Sequence, residues 1–437
     1  MSDAAESSPR LPTLAIATIG HHRHGKTTLL AAMTRVLARR EGAVAAGRSV
    51  EELDRRGGSP PLELSGGTLH VRPTGDVGAE TLTVRGTSLR WATSRRAFAH
   101  FDAPGRRPWV TNVARALGAA DAALLVVSAP ESVQPQTIEH LQLARALGIR
   151  QLVVFVGKCD LVADIEWLDL VERDIRDLLD RCGFDGDGTR ILRGAARPAY
   201  AGPSPWDAGV LDLIEALETE LTVPERPVTG APLFVCDRVF GRRPGNRVLV
   251  EGRLQRGEVA IGDTLWALAG RDGRAQRLRT VEVETYHRKL ARASAGDQIG
   301  LLLYGVDRDV VPSEMRTGQP LVREEAPLIR ELVARVELFA RADAGRPHAL
   351  RDGTVASLVF GAMRAIGALR GEGAAIEPGG AGTVRVTLQT PQYVEPGLRF
   401  ALRDGSQGAW RKGQPAVWAG IVGAGTIVAV GEPVGSP

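Results

Sequence analysis

The chain has 437 residues and a formal net charge of +4, with charged residues at 24% and hydrophobic residues at 43%. This length is enough for about three domains of ~150 residues, and the composition excludes extensive disorder. The three cysteines are odd in number and scattered, which excludes a disulfide framework and fits a reducing compartment. No apolar run approaches the ~18 residues of a membrane span, so we expect a cytoplasmic protein without a membrane segment.

The first predicted elements surround a glycine-rich loop. Residues 1–12 are expected to be a disordered leader, residues 14–20 form a short apolar strand, and residues 27–40 have the spacing of a helix. The loop between them fits the phosphate-loop pattern G-x-x-x-x-G-K-[ST] at Gly20, Gly25, Lys26 and Thr27. The N–H groups of such a loop, together with the helix N-terminus, form a site for an anion.

Strand-like and helical segments alternate through the next part of the chain. Strands are predicted at 98–102, 122–130, 151–160 and 189–194. Helices are predicted at 108–118, 135–148, 164–183 and 206–221. This alternation predicts an α/β P-loop domain over residues 13–222, with a doubly wound, mostly parallel sheet. Ligands of such sheets lie beyond the carboxyl ends of the strands, where the phosphate loop falls.

The composition changes after this domain. Residues 223–230 lie in a stretch rich in Pro, Thr and Gly and are predicted to be a linker. Short β-type segments between glycine turns then predict β-barrels, at 246–263, 296–306, 381–394, 397–405 and 420–431. A second break near residues 323–331 divides this half into one barrel over residues 231–324 and another over residues 325–437.

The lysine of the phosphate loop is itself informative. Of 55 basic residues only four are lysines, and one of these is Lys26. A planar arginine fork replaces the compact ammonium of this position poorly. The retention of lysine here therefore favours a loop that still binds phosphate.

Strings in all three predicted domains resemble bacterial elongation factor Tu, and the resemblance covers nearly the whole chain. The phosphate loop reads GHHRHGKT where that family has GHVDHGKT, and residues 81–105 match the family's two switch segments without a gap. In the barrels, YHRKL, AGDQIGLLLYGV, GLRFALRDG and VGAGTIVAV stand where the family has closely similar strings. The sequence is therefore identified as a divergent relative of this translational GTPase, whose GTP-binding domain precedes two β-barrels.

The resemblance implies that the phosphate and metal half of the site is complete. The implied GTP-binding loop positions are Gly20, His21, His22, Arg23, His24, Gly25, Lys26, Thr27 and Thr28. Thr27 and Asp102 are implied Mg²⁺ ligands, Asp102 through water, and Gly105 meets the γ-phosphate. Thr83 stands at the switch threonine that completes the metal shell, although an ordinary strand threonine explains it equally well.

The part of the nucleotide site that the resemblance assigns to the guanine base is altered. The family's N-K-C-D reads Gly157, Lys158, Cys159, Asp160 here, and the serine of its G-S-A-L reads Ala195. Asp160 can still accept the edge donors of guanine, and Lys158 can lie along the base. The asparagine amide is missing at Gly157, and a lost hydrogen bond of this kind costs about 1–3 kcal/mol. The resemblance thus implies weaker GTP binding with GTP still preferred over ATP.

The implied catalytic position, next to Gly105, is Arg106, which replaces the family histidine that helps to position the attacking water. Two interpretations stay open: Arg106 stabilises the charge of phosphoryl transfer, or it is a surface side chain of a slowed or inactive GTPase. We favour the second, because water positioning and charge neutralisation are different tasks. Within the loop, the cation Arg23 beside His22 argues against a metal cluster of histidines.

Several family positions that contact aminoacyl-tRNA have changed. The Lys-Asn pair reads Thr111 and Asn112, and the arginine of an R-G-Q string is Thr317. An asparagine near the aminoacyl pocket is Gln298, and a nearby arginine is Tyr304. We take Asn112, Gln298 and Thr317 as candidate tRNA contacts on a surface that has lost cationic groups.

These expectations combine into a monomeric, Mg²⁺-dependent protein that binds GTP and GDP and carries aminoacyl-tRNA to the ribosome, with weakened hydrolysis and tRNA contacts. The tRNA is a general or a specialised one on this interpretation, and a nucleotide exchange factor is compatible with it. The alternative is a regulatory or binding paralogue that keeps the scaffold without hydrolysing GTP. Asp160 and the barrels argue against a P-loop kinase.

Overall fold

The structure is a computed structural model. It describes residues 13–40, 62–64, 67–69, 72–73, 82–83, 88–93, 95–102, 110–243, 246–268, 275–285, 288–306, 315–340, 349–371, 375–404 and 421–432. Within these ranges, no helix is long and apolar enough to cross a lipid bilayer.

The first domain is an α/β structure. Its strands are β1 Thr13–Ile19, β2 Leu62–Leu64, β3 Gly67–Leu69, β4 Arg72–Pro73, β5 Leu82–Thr83, β6 Ser88–Ala92, β7 Ala97–Asp102, β8 Ala122–Ser128, β9 Leu152–Gly157 and β10 Ile191–Arg193. Six of them form the main sheet, in the order β10-β9-β8-β1-β7-β6. All neighbours are parallel except β6, which runs antiparallel to β7. The predicted doubly wound, mostly parallel sheet is confirmed.

Helices cover both faces of this sheet. They are α1 Lys26–Arg40, α2 Val110–Gly118, α3 Pro135–Ala146, α4 Ile165–Arg181, α5 Ala196–Ala201 and α6 Asp207–Thr219. The strands are continuously apolar because both of their faces are buried, as β8 shows. Leu124 and Val126 pack in the core with α1 and α6. Leu125 and Val127 pack on the other face, in the core with α2, α3 and α4. The helices agree with the sequence prediction except for the short α5, which was not predicted.

The second domain is a β-barrel. Its strands are β11 Leu233–Arg243, β12 Arg247–Arg256, β13 Glu258–Ala260, β14 Thr264–Ala267, β15 Gln276–Thr285, β16 Arg288–Leu290, β17 Arg292–Ser294, β18 Gln298–Gly305 and β19 Pro320–Val322. The order β14-β19-β11-β12-β18-β15-β16, with a further pairing of β14 to β15, closes six strands into a ring. Alternate residues point into one apolar core, among them Phe234, Val250 and Leu301.

The third domain is a second closed barrel. Its strands are β20 Ile329–Leu338, β21 Thr354–Phe360, β22 Met363–Gly371, β23 Ala381–Gln392, β24 Arg399–Asp404 and β25 Ile421–Val430. They close in the order β20-β23-β22-β21-β24-β25 around a core that includes Leu358 and Phe400. The predicted succession of a P-loop α/β domain and two β-barrels is therefore confirmed.

A buried ion cluster joins the α/β domain to the first barrel. Asp121 precedes β8 and accepts hydrogen bonds from Arg226 and from Arg253, the latter at 2.8 Å to each carboxylate oxygen. Arg253, on β12, also donates to the carbonyl of Ala119, and the backbone N–H of Ala15 donates to Asp121 at 2.9 Å. The Asp121 and Arg253 side chains are each 8% exposed, so one carboxylate compensates two cations largely out of water.

The second barrel packs on two helices of the α/β domain. Its strands β24 and β25 contact α3, and β21 contacts α2. At the end of α2 the contact is between backbones, because a Cβ built on Gly118 would lie 2.5 Å from the Cα of Gly361. Gly361 has a φ of +62°, so glycine is favoured there by conformation as well as by space.

Replacement of Asp121 by asparagine is expected to destabilise the protein by about 3–5 kcal/mol, because it removes the one charge that both buried arginines, Arg226 and Arg253, contact directly. Chemical denaturation of the D121N variant measures this loss. The matched control is E282Q, which removes the partner of Lys289, whose side chain is 76% exposed, and which should cost at most about 1 kcal/mol. Equal losses in the two variants would contradict the role assigned to the cluster.

Candidate functional site

The phosphate loop is held tightly against the sheet. It begins where β1 ends, and Gly20 has a φ of +133° with its ideal Cβ position only 2.2 Å from the carbonyl oxygen of Val126. No other residue type fits there without moving β8. The loop is also fastened from α3: the N–H of Gly20 donates to Nδ1 of His140 at 3.1 Å, and the N–H of His22 donates to Oε1 of Gln136 at 3.0 Å.

Lys26 spans the hollow of this loop. Its Nζ donates to the carbonyls of Gly20 at 2.9 Å and His21 at 2.6 Å, and the residue is only 6% exposed. Burial lowers the pKa of Lys26 to about 8, and nearby Asp102 acts in the opposite direction. A cation that burial destabilises in this way gains from an anion, so the loop is suited to a phosphate group.

Beside the loop lies a pair of oxygen groups suited to a divalent cation. The hydroxyl of Thr27 donates to Oδ2 of Asp102 at 2.6 Å, and Oδ1 of Asp102 is buried without a hydrogen-bond partner. Burial raises the pKa of Asp102 to about 6, and Thr27 and Lys26 lower it. A hydroxyl and an under-coordinated carboxylate are hard oxygen donors, which Mg²⁺ prefers. The residues present therefore fit this ion.

His24 links the phosphate loop to the end of β8 and the turn after it, and Glu131 of that turn reaches Lys158 after β9. It is buried, and its Nδ1 accepts from the N–H of Ser128 at 3.2 Å, which places the ring proton on Nε2. Nε2 lies 3.1 Å from Oε2 of Glu131, whose other oxygen is 3.7 Å from Nζ of Lys158. Burial, with further contributions from His21, Lys26 and Lys158, lowers the pKa of His24 to about 3, so the ring is neutral.

The loop histidines are not grouped as metal ligands. The rings of His21 and His24 are tilted with centroids 5.1 Å apart. Among the described residues, no set of three His, Cys, Asp or Glu side chains could hold a metal ion.

The predicted base-binding positions converge at the ends of two neighbouring strands. Gly157 ends β9, and Lys158 follows with a left-handed φ of 60°, a sparsely populated conformation that occurs often at functional sites. The N–H of Cys159 donates to the carbonyl of Gly194 at 3.1 Å, which brings buried Ala195 beside this turn. Asp160 is exposed at its surface and available to accept hydrogen bonds from a base.

The other predicted site residues are distributed as follows. Thr28 is half-buried in the first turn of α1, and Arg23 is exposed in the loop with a φ of 66°. Thr83 lies in β5, opposite Arg72 of β4. Gly105 and Arg106 lie outside the described residues.

Of the three candidate tRNA contacts, Asn112 and Gln298 belong to elements that meet where the α/β domain joins the first barrel, whereas Thr317 belongs to a separate turn. Asn112 is part of α2. Gln298 of β18 is buried and donates through Nε2 to Asp237 at 3.2 Å, and the carbonyl of Asp237 accepts from Arg115 of α2 at 3.3 Å. The helix that carries Asn112 therefore touches the barrel beside Gln298. Thr317 is exposed in the turn before β19, and no described contact joins it to that group.

Sequence reasoning missed the groups that hold the site in place. His140 and Gln136 fasten the phosphate loop, and Glu131 connects it to the base-binding turn. These residues come from α3 and the turn before it, more than a hundred residues after the loop. The available signal is the string PQTIEHL in the helix predicted at 135–148, and it indicates the helix without indicating what the helix contacts.

This combination of site and domains defines a class of protein. A phosphate loop and a base-binding turn at the carboxyl edge of the sheet, followed in the same chain by two barrels, is the arrangement of translational GTPases of the elongation factor Tu type. Comparison with known families agrees: the model of the family described as elongation factor Tu GTP binding domain matches residues 11–222. The first domain of the chain, residues 11–222, matches this family, and the whole chain has the elongation factor Tu-like fold of a P-loop α/β domain followed by two β-barrels.

Two solved structures share the complete architecture. A bacterial selenocysteine-specific elongation factor, EF-Sec, is 21% identical with a TM-score of 0.66, and the match covers 95% of this chain and 58% of that one. This chain thus spans less than two thirds of that protein's length. The elongation factor SelB of Methanococcus maripaludis, solved in complex with the GTP analogue GppNHp, is 18% identical with a TM-score of 0.70, over 98% of this chain and 81% of that one. At these identities the likeness concerns the fold.

The buried histidine of α3 predicts a pH dependence. Burial, reinforced by Lys26 and His21, lowers the pKa of His140 to about 3, whereas an unfolded histidine titrates near 6.5. Between pH 7 and pH 5 only the unfolded chain takes up this proton, so the stability falls by about 2 kcal/mol from this group. The H140N variant keeps an acceptor for Gly20 and removes the titration. Its unfolding free energy should therefore fall by about 2 kcal/mol less than that of the unmodified protein over this range, and parallel pH profiles would contradict the assignment.

A second prediction concerns Gly157. Its ideal Cβ lies 3.5 Å from the ring of Phe155 and 3.9 Å from the carbonyl oxygen of His24, so a side chain fits and an amide can reach that carbonyl. The G157N variant should bind GTP about 2–10-fold more tightly, the effect of one added hydrogen bond. G157A is the matched control, since it adds the Cβ without the amide. Equal affinities of the two variants in equilibrium titrations would show that the amide has no role.

Proposed function

We propose that this protein is a Mg²⁺-dependent, GTP-switched carrier of aminoacyl-tRNA to the ribosome, and that it acts as a monomer in the cytoplasm with slowed GTP hydrolysis. The observation that carries the proposal is the continuity between the nucleotide site and both barrels. β7 ends at Asp102, and the chain then leads into α2, which contacts Asp237 of the first barrel through Arg115 and Gly361 of the second through Gly118.

The described residues have distinct tasks in nucleotide binding. The backbone amides of the loop and Nζ of Lys26 bind the phosphates, and the fastening of the loop to α3 holds these donors in place before the ligand arrives. Thr27 and Asp102 would hold Mg²⁺, which neutralises phosphate charge when bound. Asp160 accepts hydrogen bonds from the edge of guanine. Ala195 lies in the neighbouring turn, which is joined to this one by the hydrogen bond from Cys159 to Gly194. This assignment of site residues is part of the proposal.

The same contacts suggest how the bound nucleotide controls the barrels. Asp102, which would hold Mg²⁺ together with Thr27, ends β7, and α2 is the next described element of the chain. Since α2 touches both barrels, its displacement changes how each barrel meets the α/β domain. GTP and GDP can therefore favour different barrel arrangements, provided that they bind them with different affinities.

The relatives support a specialised carrier. The first of the two structures is that of a selenocysteine-specific elongation factor, and the other is that of the translation elongation factor SelB in complex with a GTP analogue. The altered tRNA positions of this chain, such as Gln298 and Thr317, also differ from those expected of a general carrier. We propose a charged tRNA of a restricted class as the cargo.

The second candidate is a regulatory paralogue that binds GTP without hydrolysing it. Arg106 favours this candidate, because it occupies the position at which the family orients water, and Gly157 lacks the family amide. Both candidates share the nucleotide site, and they differ in tRNA binding and in turnover.

Binding of charged tRNA separates the two candidates. A carrier should bind a charged tRNA at least tenfold more tightly with a GTP analogue than with GDP, because only the GTP state brings α2 and the barrels into one surface. Fluorescence titrations with a set of charged and uncharged tRNAs measure this ratio. Affinity that is independent of the nucleotide would refute the switch, and lack of binding to every charged tRNA would favour the regulatory candidate.

Hydrolysis provides a further prediction. If Arg106 fails to orient water, GTP turnover should be slow with and without ribosomes, and R106H should raise the ribosome-stimulated rate by at least tenfold. R107H, at the neighbouring position, is the control for a nonspecific effect of histidine. A fast unmodified protein that slows in R106H would instead identify Arg106 as the group that stabilises the transferred phosphate.

A further inference from the structure

The phosphate loop and the base-binding turn are adjacent in space, and at Gly157 no side chain joins them. The ideal Cβ position of Gly157 is 3.9 Å from the carbonyl oxygen of His24 in the loop. The resemblance implies an asparagine at this position, and its amide would reach that carbonyl and tie the turn to the loop. Because glycine carries no amide, this tie is missing from the chain.

A second connection joins the same two segments through the ring of His24. The ring is buried, and its Nδ1 accepts from the N–H of Ser128 at 3.2 Å, which leaves Nε2 with the ring proton. Oε2 of Glu131 lies 3.1 Å from Nε2, and Oε1 of the same carboxylate lies 3.7 Å from Nζ of Lys158. We call His24, Glu131 and Lys158 the carboxylate bridge.

Both ends of the bridge depend on this carboxylate. Nε2 of His24 is buried and makes no aligned hydrogen bond within the described part of the chain, so the oxygen at 3.1 Å is the group that compensates its N–H. Lys158 has a left-handed φ of 60°, a conformation that persists only where surrounding contacts support it. Among the described residues, Glu131 is the ion-pair partner that gives Lys158 such support.

A purely structural role for Glu131 would end at the histidine. A buried N–H needs only an acceptor, which a neutral side chain also provides. The second carboxylate oxygen has no part in that role, because it faces the ammonium of Lys158, whose stem would lie along the guanine ring. This second contact relates Glu131 to the bound base.

We propose that Glu131 is a positioning residue for guanine nucleotides, which joins the base-binding turn to the phosphate loop in place of the missing asparagine amide. The bridge holds Lys158 relative to the loop before the nucleotide arrives, and such preorganisation strengthens binding. A ligand that spans both segments benefits from it, whereas a ligand that occupies the loop alone does not. This inference rests on the nucleotide site proposed above.

The sign of the expected effect separates this role from ordinary electrostatics. Glu131 is an anion beside a site for phosphates, so the loss of its charge would by itself strengthen the binding of GTP. Loss of the bridge has the opposite effect, because the ligand must then order the base-binding turn itself. Weaker binding after removal of an acid is therefore specific to the bridge.

The test compares GTP with inorganic triphosphate, which fills the loop without a base, in equilibrium titrations and displacement assays. E131A should bind GTP about 3–10-fold more weakly, while its affinity for triphosphate stays unchanged or rises. E131Q should show an intermediate loss for GTP, because it keeps an acceptor for Nε2 of His24 and loses the attraction to Lys158. Since E131Q leaves the buried N–H compensated, it also guards against a variant that fails to fold.

The control of equal charge is E166A. Glu166 is exposed in the first turn of α4, and its side chain has no partner among the residues that the structure describes. E166A should bind both GTP and triphosphate as the unmodified protein does.

An asparagine at position 157 makes the test specific to replacement of the missing tie. In the G157N background one connection between the turn and the loop remains when Glu131 is removed. The loss of GTP affinity caused by E131A should therefore be about threefold smaller, or less, in G157N than in the unmodified protein. Such non-additivity is the signature of two groups that serve one purpose.

Three results would overturn the inference. They are an E131A variant that binds GTP as tightly as E166A, equal losses for GTP and triphosphate, and additive effects of E131A and G157N. Equal losses would show that Glu131 only holds the loop, and additivity would show that the two connections are independent. If the unmodified protein binds no GTP at all, the proposed nucleotide site itself fails, whereas tight GTP binding that E131A leaves intact would refute the bridge alone.

Discussion

The close approach of the phosphate loop to the sheet is the constraint on which the nucleotide site depends. With the Cβ position of Gly20 only 2.2 Å from the carbonyl oxygen of Val126, the loop can begin only where β1 lies against β8. That pairing brings the end of β8 and the turn after it beside the loop, so Ser128 and Glu131 reach His24. The helix that follows this turn then supplies His140 to the first amide of the loop. The donors for phosphate are consequently fixed by packing, before any ligand contributes.

Much of the fold could be predicted because its signals are local. The run AALLVVS indicates a strand buried on both faces, and the structure places its alternate residues in two different cores. The loop pattern likewise locates Lys26 and Thr27 at the start of a helix without reference to the rest of the chain. Helix α5 escaped prediction because its six residues are too few to show a helical period.

The contacts between distant segments could not be predicted, since residue spacing carries no information about strand register or about which helix faces which loop. His140 lies 120 positions after Gly20, and nothing in either string indicates that they meet. The same limitation affected the outward face of the first barrel. Position by position, Tyr304 is a lost arginine, and only the pairing of β12, β18 and β15 shows two arginines at its sides. A comparison of single positions therefore misses charged residues that strand pairing brings side by side.

The contact between Gly118 and Gly361 has a mechanical consequence. Side chains between two elements act as a compliant layer, because rotamer changes absorb small movements. Here the layer is missing, and the last turn of α2 rests directly on the backbone of the second barrel. A shift of this helix by a fraction of an ångström must either displace the barrel or open a gap, and close-packed interiors resist gaps. A movement of α2 is therefore transmitted directly to the second barrel. A larger residue at Gly118 or Gly361 would push the two backbones apart.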